Sequence, residues 1–458
     1  MVLKRAAAAA VALLGVVLGG CQTEMIPTPY VMYGEAGRTA FEAVPPGLRT
    51  PEAPVIYVTD RVADKVGPEG PEYGYRRSPE LTFGTATVTL GEGATWDSLV
   101  ADSTTDNRSG KYHPRVTKVE PAGAIGAVPA RLVAVDGRLR LTKEAVDEFH
   151  ATQAKFDGLI ARWAEGQERR DAVVFVHGYN NKFDDAVLRL AQAWHAGGRA
   201  GIPIVYTWPA GSGGLTGYAY DRESGEYTIV HLKLLLATLI RSPHVDRIHI
   251  ISHSRGTDVA VTALRELNAE VRGAVGAGLV AREIVGKGLF DPTVTAPPPT
   301  YEYLKLETLI LAAPDLDLEV FVQRFFGENL LQAARRTLVY FSDEDEALGM
   351  ADWLFRSRRR LGALRLVHIP EPSRKLFASV PAIELINAEV TGFTSHSYIL
   401  QHPAALSNVI LVLRDGKLPG PENGRPMKRI AESIWQIDNS YCQEQASIDA
   451  GQQGGAGR

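Results

Sequence analysis

Between residues 172 and 341 the chain alternates short, almost wholly apolar runs with amphipathic stretches, and this rhythm leaves few folds open. Ala172 to Val176, Ile204 to Thr207, Arg247 to Ile251, Thr308 to Leu311 and Leu338 to Phe341 are the apolar runs. A strand solvated on one face alternates apolar and polar residues, whereas these runs have the continuous apolar character of strands buried on both faces. Helical spacing fills several of the gaps, at Asp184 to Trp194, Thr228 to Ile240 and Thr257 to Leu267. The pattern predicts a mostly parallel central sheet covered by helices on both faces. Two earlier β-branched runs, Val55 to Val58 and Thr85 to Leu90, predict extra strands at one edge of that sheet. The spacing of Ala145, Phe149, Phe156, Leu159 and Trp163 predicts a helix over about 143–168.

One junction in this rhythm carries chemistry. Ile248-His249-Ile250-Ile251-Ser252-His253-Ser254-Arg255-Gly256 is an apolar run ending at a serine with a small residue two positions to either side, and a helical pattern follows at once. A strand that turns directly into a helix through so tight a bend needs small neighbours, and it lifts the serine hydroxyl above the sheet at a helix N-terminus. Ser254 is therefore the expected nucleophile; the alternative is a helix-capping serine after a buried strand.

A serine hydroxyl is a weak nucleophile at neutral pH and needs a base and an acid behind that base. In a sheet of this kind both follow the serine in the chain. The acidic turn after Leu338 to Phe341 offers Asp345 first and Asp343 second, with Asp315 and Asp317, after the preceding strand, in reserve. His396, after the extended run Ile383 to Val390, is the expected base and His402 its competitor; His253 lies too close to the serine. The oxyanion formed on attack needs preorganised N–H donors. The run Phe175 to Asn180 ends a strand with His177-Gly178, so the backbone N–H groups of Tyr179 and Arg255 are the expected donors. His177 precedes the serine, the wrong order for a base here, and is expected to pin its loop by hydrogen bonds. Trp208, Tyr218 and Tyr220 read either as acyl-pocket lining or as core packing. No cofactor is expected, since no metal-ligand pattern such as H-E-x-x-H occurs.

The N-terminus reads as an address. Lys4 and Arg5 precede an apolar run from Ala6 to Leu18, shorter than the roughly 20 residues a spanning helix needs. It ends in Leu18-Gly19-Gly20-Cys21, which resembles a bacterial lipobox, and that resemblance implies a signal peptide over 1–20 and lipidation of Cys21. Gln22 at the next position favours the outer membrane facing the periplasm where two membranes exist. The prolines between 22 and about 50 suggest an irregular tether, giving 21–51 as tether, 52–418 as the folded domain with an insertion at about 270–302, and 419–458 as an extension whose end is disordered. Cys442 is left unpaired and reads as incidental. The formal net charge of -4 over 458 residues gives no stripe to follow nucleic acid. Its densest basic run, Arg356 and Arg358 to Arg360, reads as a solvated helix end.

Taken in order, several motifs resemble a bacterial α/β-hydrolase family once catalogued as a domain of unknown function and grouped with esterases and lipases. They are Val55 to Arg61, Phe83 to Val88, Val174 to Asn180, Thr207 to Gly211, Tyr218 to Arg222, the Ser254 turn, Ala313 to Asp317, Ser342 to Leu348 and Ser395 to Tyr398. The resemblance spans roughly residues 52 to 402 and implies an α/β-hydrolase fold and the triad Ser254, Asp345 and His396. The expected function is cleavage of a small-molecule or lipid ester through an acyl-enzyme; the rival readings are an acyltransferase or amidase with the same triad, and an envelope scaffold or binding lipoprotein that keeps the hydrolase fold without turnover. Arg255 stands where that family commonly has methionine, and the stretch at 270–302 is another departure. Protein partners are not legible, and the membrane is expected only through the N-terminal lipid.

Overall fold

The computed structural model describes residues 24–126, 132–278, 299–342, 360–364, 369–390, 396–443 and 445. Its centre is an eleven-stranded sheet of order β12 (Lys428–Ala431), β13 (Ile434–Asp438), β11 (Ile383–Glu389), β10 (Arg336–Phe341), β9 (Leu306–Ala312), β8 (Arg247–His253), β6 (Asp171–Val176), β7 (Ile202–Thr207), β1 (Glu52–Gly67), β2 (Gly70–Thr89) and β3 (Arg115–Ile125), with β4 (Leu132–Val135) and β5 (Arg138–Leu141) as a separate hairpin. The apolar runs form its middle: β6 (Asp171–Val176), β7 (Ile202–Thr207), β8 (Arg247–His253), β9 (Leu306–Ala312) and β10 (Arg336–Phe341), followed by β11 (Ile383–Glu389). These are parallel throughout, and β1 (Glu52–Gly67) joins them in parallel beside β7. β2 (Gly70–Thr89) and β3 (Arg115–Ile125) then add an antiparallel edge, which is where the early β-branched runs belong.

Each middle strand is buried on both faces because helices cover both. On one face His249 and Ile251 of β8 meet the helices Phe183–Ala196 and Pro403–Leu413 across a cavity of about 570 Å³. Ile248 and Ile250 point the opposite way and are also buried, under the helices Gly214–Arg241 and Gly256–Gly278, which pack on each other. The predicted helix before the core runs Lys143–Ala164, started by Thr142, whose side chain accepts from the N–H of Ala145 at 3.2 Å, and anchored by buried Phe156, Leu159, Ile160 and Trp163.

Three boundaries differ from the sequence reading. Residues 24–51 are not an irregular tether: Tyr30–Met32 and Pro46–Leu48 are short 3-10 turns, Gly34–Glu42 is a helix, and Met25, Ile26, Val31, Met32, Phe41 and Val44 are buried in the core. The prolines cap and turn this segment rather than keeping it loose. The domain also continues past 418. β12 (Lys428–Ala431) and β13 (Ile434–Asp438) extend the sheet, β13 pairing in parallel with β11. Residues 270–278 belong to the helix after β8 rather than to an insertion, and 279–298 lie outside the described residues. Beyond Asn439, Tyr441 is still buried and stacks on Tyr30. Among the described residues no helix is long and apolar enough to cross a membrane.

Candidate active site at the carboxyl ends of the strands

Ser254 sits in the turn between β8 and the helix Gly256–Gly278 with φ 53°, a left-handed conformation that costs a non-glycine residue about 1–2 kcal/mol. The surrounding backbone holds it there. Its N–H donates to Ala312 O at 2.9 Å, and its carbonyl accepts from the N–H of Asp315 at 3.2 Å and of Thr257 at 3.1 Å. Asn180 after β6 (φ 55°) and Ala313 after β9 (φ 44°) are in the same region. Three neighbouring strands of the sheet thus end in strained non-glycine residues, the kind of clustering that marks functional sites.

The small residues around the serine have a steric reason. A Cβ on Gly256 would stand 2.2 Å from His177 O, and one on Gly178 would stand 2.7 Å from the Ser254 Cβ. The β6 loop and the serine turn therefore touch through two glycines. Ser252, in the place where glycine is commonest, is accommodated because its hydroxyl donates to Ile310 O at 3.1 Å.

His396 is brought to this turn. Its ring lies 4.9 Å from that of His253, and its backbone carbonyl accepts from His253 Nε2 at 2.8 Å. His253 is wholly buried, and burial first, then the nearby His396 and Arg189, hold its pKa well below the ordinary histidine value. It is therefore a neutral donor that ties the serine turn to the His396 loop, not a base. His402 caps the helix Pro403–Leu413, its Nδ1 accepting from Ala404 N at 3.2 Å, and burial lowers its pKa to about 4.

Of the acids, Asp343 and Asp345 lie outside the described residues. The reserves are committed elsewhere. Asp315 accepts from Tyr218 Oη at 2.8 Å and pairs with Arg360 at 3.1 Å, so Arg360 faces an acid beside the site rather than ending a solvated helix; Arg356, Arg358 and Arg359 are outside the described residues. Asp317 caps the helix Leu318–Val322. Tyr218 also packs its ring 5.2 Å from Tyr179, at the edge of the site. Trp208 is core packing: it is fully buried, stacks on His177 at 5.1 Å and 8°, and donates from its indole N–H to His177 O at 2.7 Å. Tyr220 lies against Tyr75 and beneath the guanidinium of Arg77.

Two donors were expected for an oxyanion. Arg255 opens the helix after β8, where the first N–H groups have no intrahelical partner; its side chain turns away to Asp258 at 3.0 Å. Tyr179 lies in the β6 loop between Gly178, which abuts Ser254, and Asn180, whose N–H is held by Asp221 Oδ2 at 2.9 Å. Asp221 is raised in pKa by burial, and it also accepts from the N–H of Gly211.

Sequence reasoning missed the buried charges beneath this loop. Asp60 on β1 pairs with His231 at 2.9 Å and accepts from Thr228 Oγ1 at 2.6 Å, while Arg61 beside it reaches the β6 loop. The available signal was an adjacent acid and base at the end of a β-branched apolar run, since charges in a buried strand persist only when paired or fully hydrogen-bonded. Among the described residues no group of three or more His, Cys, Asp or Glu side chains is placed to hold a metal ion. The cavity beneath His249 and Ile251 does not include Ser254 or His396 in its walls.

No curated protein matches this chain. A solved esterase of Pyrobaculum calidifontis, in a monoclinic form, is similar at 11% identity over 60% of this chain and 94% of that one, with a TM-score of 0.22. A family model described as an alpha/beta hydrolase of unknown function (DUF900) matches residues 153–414. That match takes in β6 to β11, the Ser254 turn and His396, more than half of the chain. With its mostly parallel sheet and its strand-turn-helix serine, the chain belongs to this α/β-hydrolase family.

Proposed function

We propose that the protein is a serine hydrolase that cleaves carboxylic esters through an acyl-enzyme. Ser254 attacks the ester carbonyl, His396 takes the hydroxyl proton and returns it to the leaving alcohol, and Asp345 orients His396. The N–H groups of Tyr179 and Arg255 receive the oxyanion, and water activated by His396 then releases the acid. No cofactor enters this scheme. The observation that carries the reading is the strained Ser254 turn, with Gly178 pressed against it and His396 tied to its neighbour by the His253 bond. A turn of this strain persists only where its surroundings over-determine it.

The reading extends to location: Cys21 is lipidated and fixes the hydrolase to a bacterial envelope membrane, the periplasmic face of the outer membrane where there are two. The substrate is then a small-molecule or lipid ester within reach of that surface.

Labelling of the purified protein with a fluorophosphonate probe, with the modified peptide mapped by mass spectrometry, tests the chemistry. Covalent label on Ser254, lost in Ser254→Ala together with turnover of a short-chain aryl ester, is the expected result. Well-folded protein that takes no label would sink it.

A further inference from the structure

Arg61 is a buried cation with all five N–H donors in use and no carboxylate among the acceptors. Nε donates to Thr207 Oγ1 at 2.9 Å, Nη1 to the carbonyls of Gly74 and Ala210, both at 2.8 Å, and Nη2 to Asn181 O at 2.9 Å and to His177 Nε2 at 3.2 Å. The last of these bonds has a chemical consequence. A guanidinium only donates, so the Nε2 it meets must be the bare nitrogen of the ring. The ring proton is then on Nδ1, and Nδ1 lies 2.9 Å from Gly178 O, to which it donates.

That carbonyl belongs to the same peptide unit as the Tyr179 N–H. The unit is planar and trans, so its C=O and N–H point in opposite directions, and fixing one fixes the other. Asn181 Nδ2 reinforces the hold, reaching Tyr179 O at 2.8 Å and Gly178 O at 3.4 Å, and the flat stack of His177 on Trp208 stops the ring from turning. We propose that Arg61 is a positioning residue that locks His177 as the Nδ1–H tautomer and, through the Gly178 carbonyl, sets the direction of the Tyr179 N–H toward the oxyanion. Burial and the adjacent guanidinium keep His177 far below the ordinary histidine pKa, so the ring stays neutral and the lock does not open by protonation. The catalytic part of the inference rests on the proposed ester hydrolysis; the tautomer does not.

Imidazole ¹⁵N NMR of the whole protein near neutral pH, with His177 assigned by difference from His177→Asn, reads the lock directly. Wild type should show a pyrrole-type Nδ1 and a pyridine-type Nε2, and Arg61→Met, which removes the donor that Nε2 meets, should move His177 toward the other tautomer. A protonated Nε2 in the wild type, or an unchanged pattern in a folded Arg61→Met, overturns the proposal. Kinetics read the consequence with an oxoester and its thionoester, whose sulfur is a poor acceptor in an oxyanion hole. Arg61→Met and His177→Gln should lower kcat for the oxoester about a hundredfold with KM within about threefold, and should cut the oxo-over-thiono preference at least tenfold. His177→Asn, which keeps a donor at the Nδ1 position, should be at least tenfold faster than His177→Gln. An unaltered oxo-over-thiono ratio overturns the assignment of Arg61 to the oxyanion. Should wild type hydrolyse neither ester, the ester-hydrolase reading fails, while the NMR result still decides the lock.

Discussion

At the scale of single residues, contact between Gly178 and Ser254 leaves no room for even one methyl. Gly178→Ala would place its Cβ 2.7 Å from the Ser254 Cβ and 3.0 Å from His253 O, so one of the two loops must move. A displacement of about 1 Å in a reacting group costs on the order of a hundredfold in rate. Gly178→Ala should therefore slow phosphonylation of Ser254 by about that factor while the protein still folds, as stopped-time labelling and circular dichroism would show. His402 gives a second prediction, one of stability. Its folded pKa is about 4 against an ordinary 6.5, so it favours the native state fully above about pH 6.5 and loses that contribution as pH falls through about 4. The gap corresponds to about 3 kcal/mol. His402→Asn keeps an acceptor for the Ala404 N–H but cannot be protonated there, and denaturant unfolding between pH 7 and 4 should become flatter by about that amount.

At the scale of elements, legibility followed burial. Runs such as Ala172 to Val176 and Thr308 to Leu311 were readable because strands covered on both faces leave no polar position to blur the pattern. The serine turn was readable because its steric demands fall on the sequence as small residues at fixed spacing. The helix Gly214–Arg241 starts fourteen residues before the periodic stretch at Thr228, its first half carrying Gly217, Tyr220, Asp221, Ser224 and Gly225 in place of an apolar stripe. β12 escaped because its residues are exposed and begin with Lys428 and Arg429, so nothing in them reports a buried partner. The partners of Asp315, Asp317 and His402 were not legible, since a polar side chain in a turn looks the same whether it caps a helix, pairs with arginine or serves a reaction. The position of Arg61 against the β6 loop is likewise a product of strand order, which places β1 beside β7 and β7 beside β6.

For the molecule as a whole, the C-terminal hairpin is part of the sheet's integrity. Glu384 on β11 is buried and paired with Arg336 at 2.7 Å and with Arg425, whose guanidinium also reaches Asn408 Oδ1 at 2.8 Å. Arg425 is fully buried, so Arg425→Met leaves a partly uncompensated carboxylate inside the fold, at a cost of about 3–5 kcal/mol. Its thermal midpoint should fall by about 3–6 °C relative to wild type in a calorimetric scan. Ending the chain at Leu418 also strips β13 from β11 and exposes a strand edge. That truncation should yield aggregating protein, whereas a soluble, active 24–418 product would show the hairpin to be dispensable.

The packing of residues 24–51 changes what an N-terminal lipid would do. Were those residues slack, a chain of about thirty residues would let the hydrolase roam roughly 100 Å from its anchor. With Met25 and Ile26 already buried, Ile26 N–H bonded to Gln192 and Met25 N–H to Tyr112 O, a lipid on Cys21 has only about four residue steps of leash, roughly 14 Å. The enzyme would sit on the bilayer as a moored body with few orientations, and its substrates would be those the membrane brings to it.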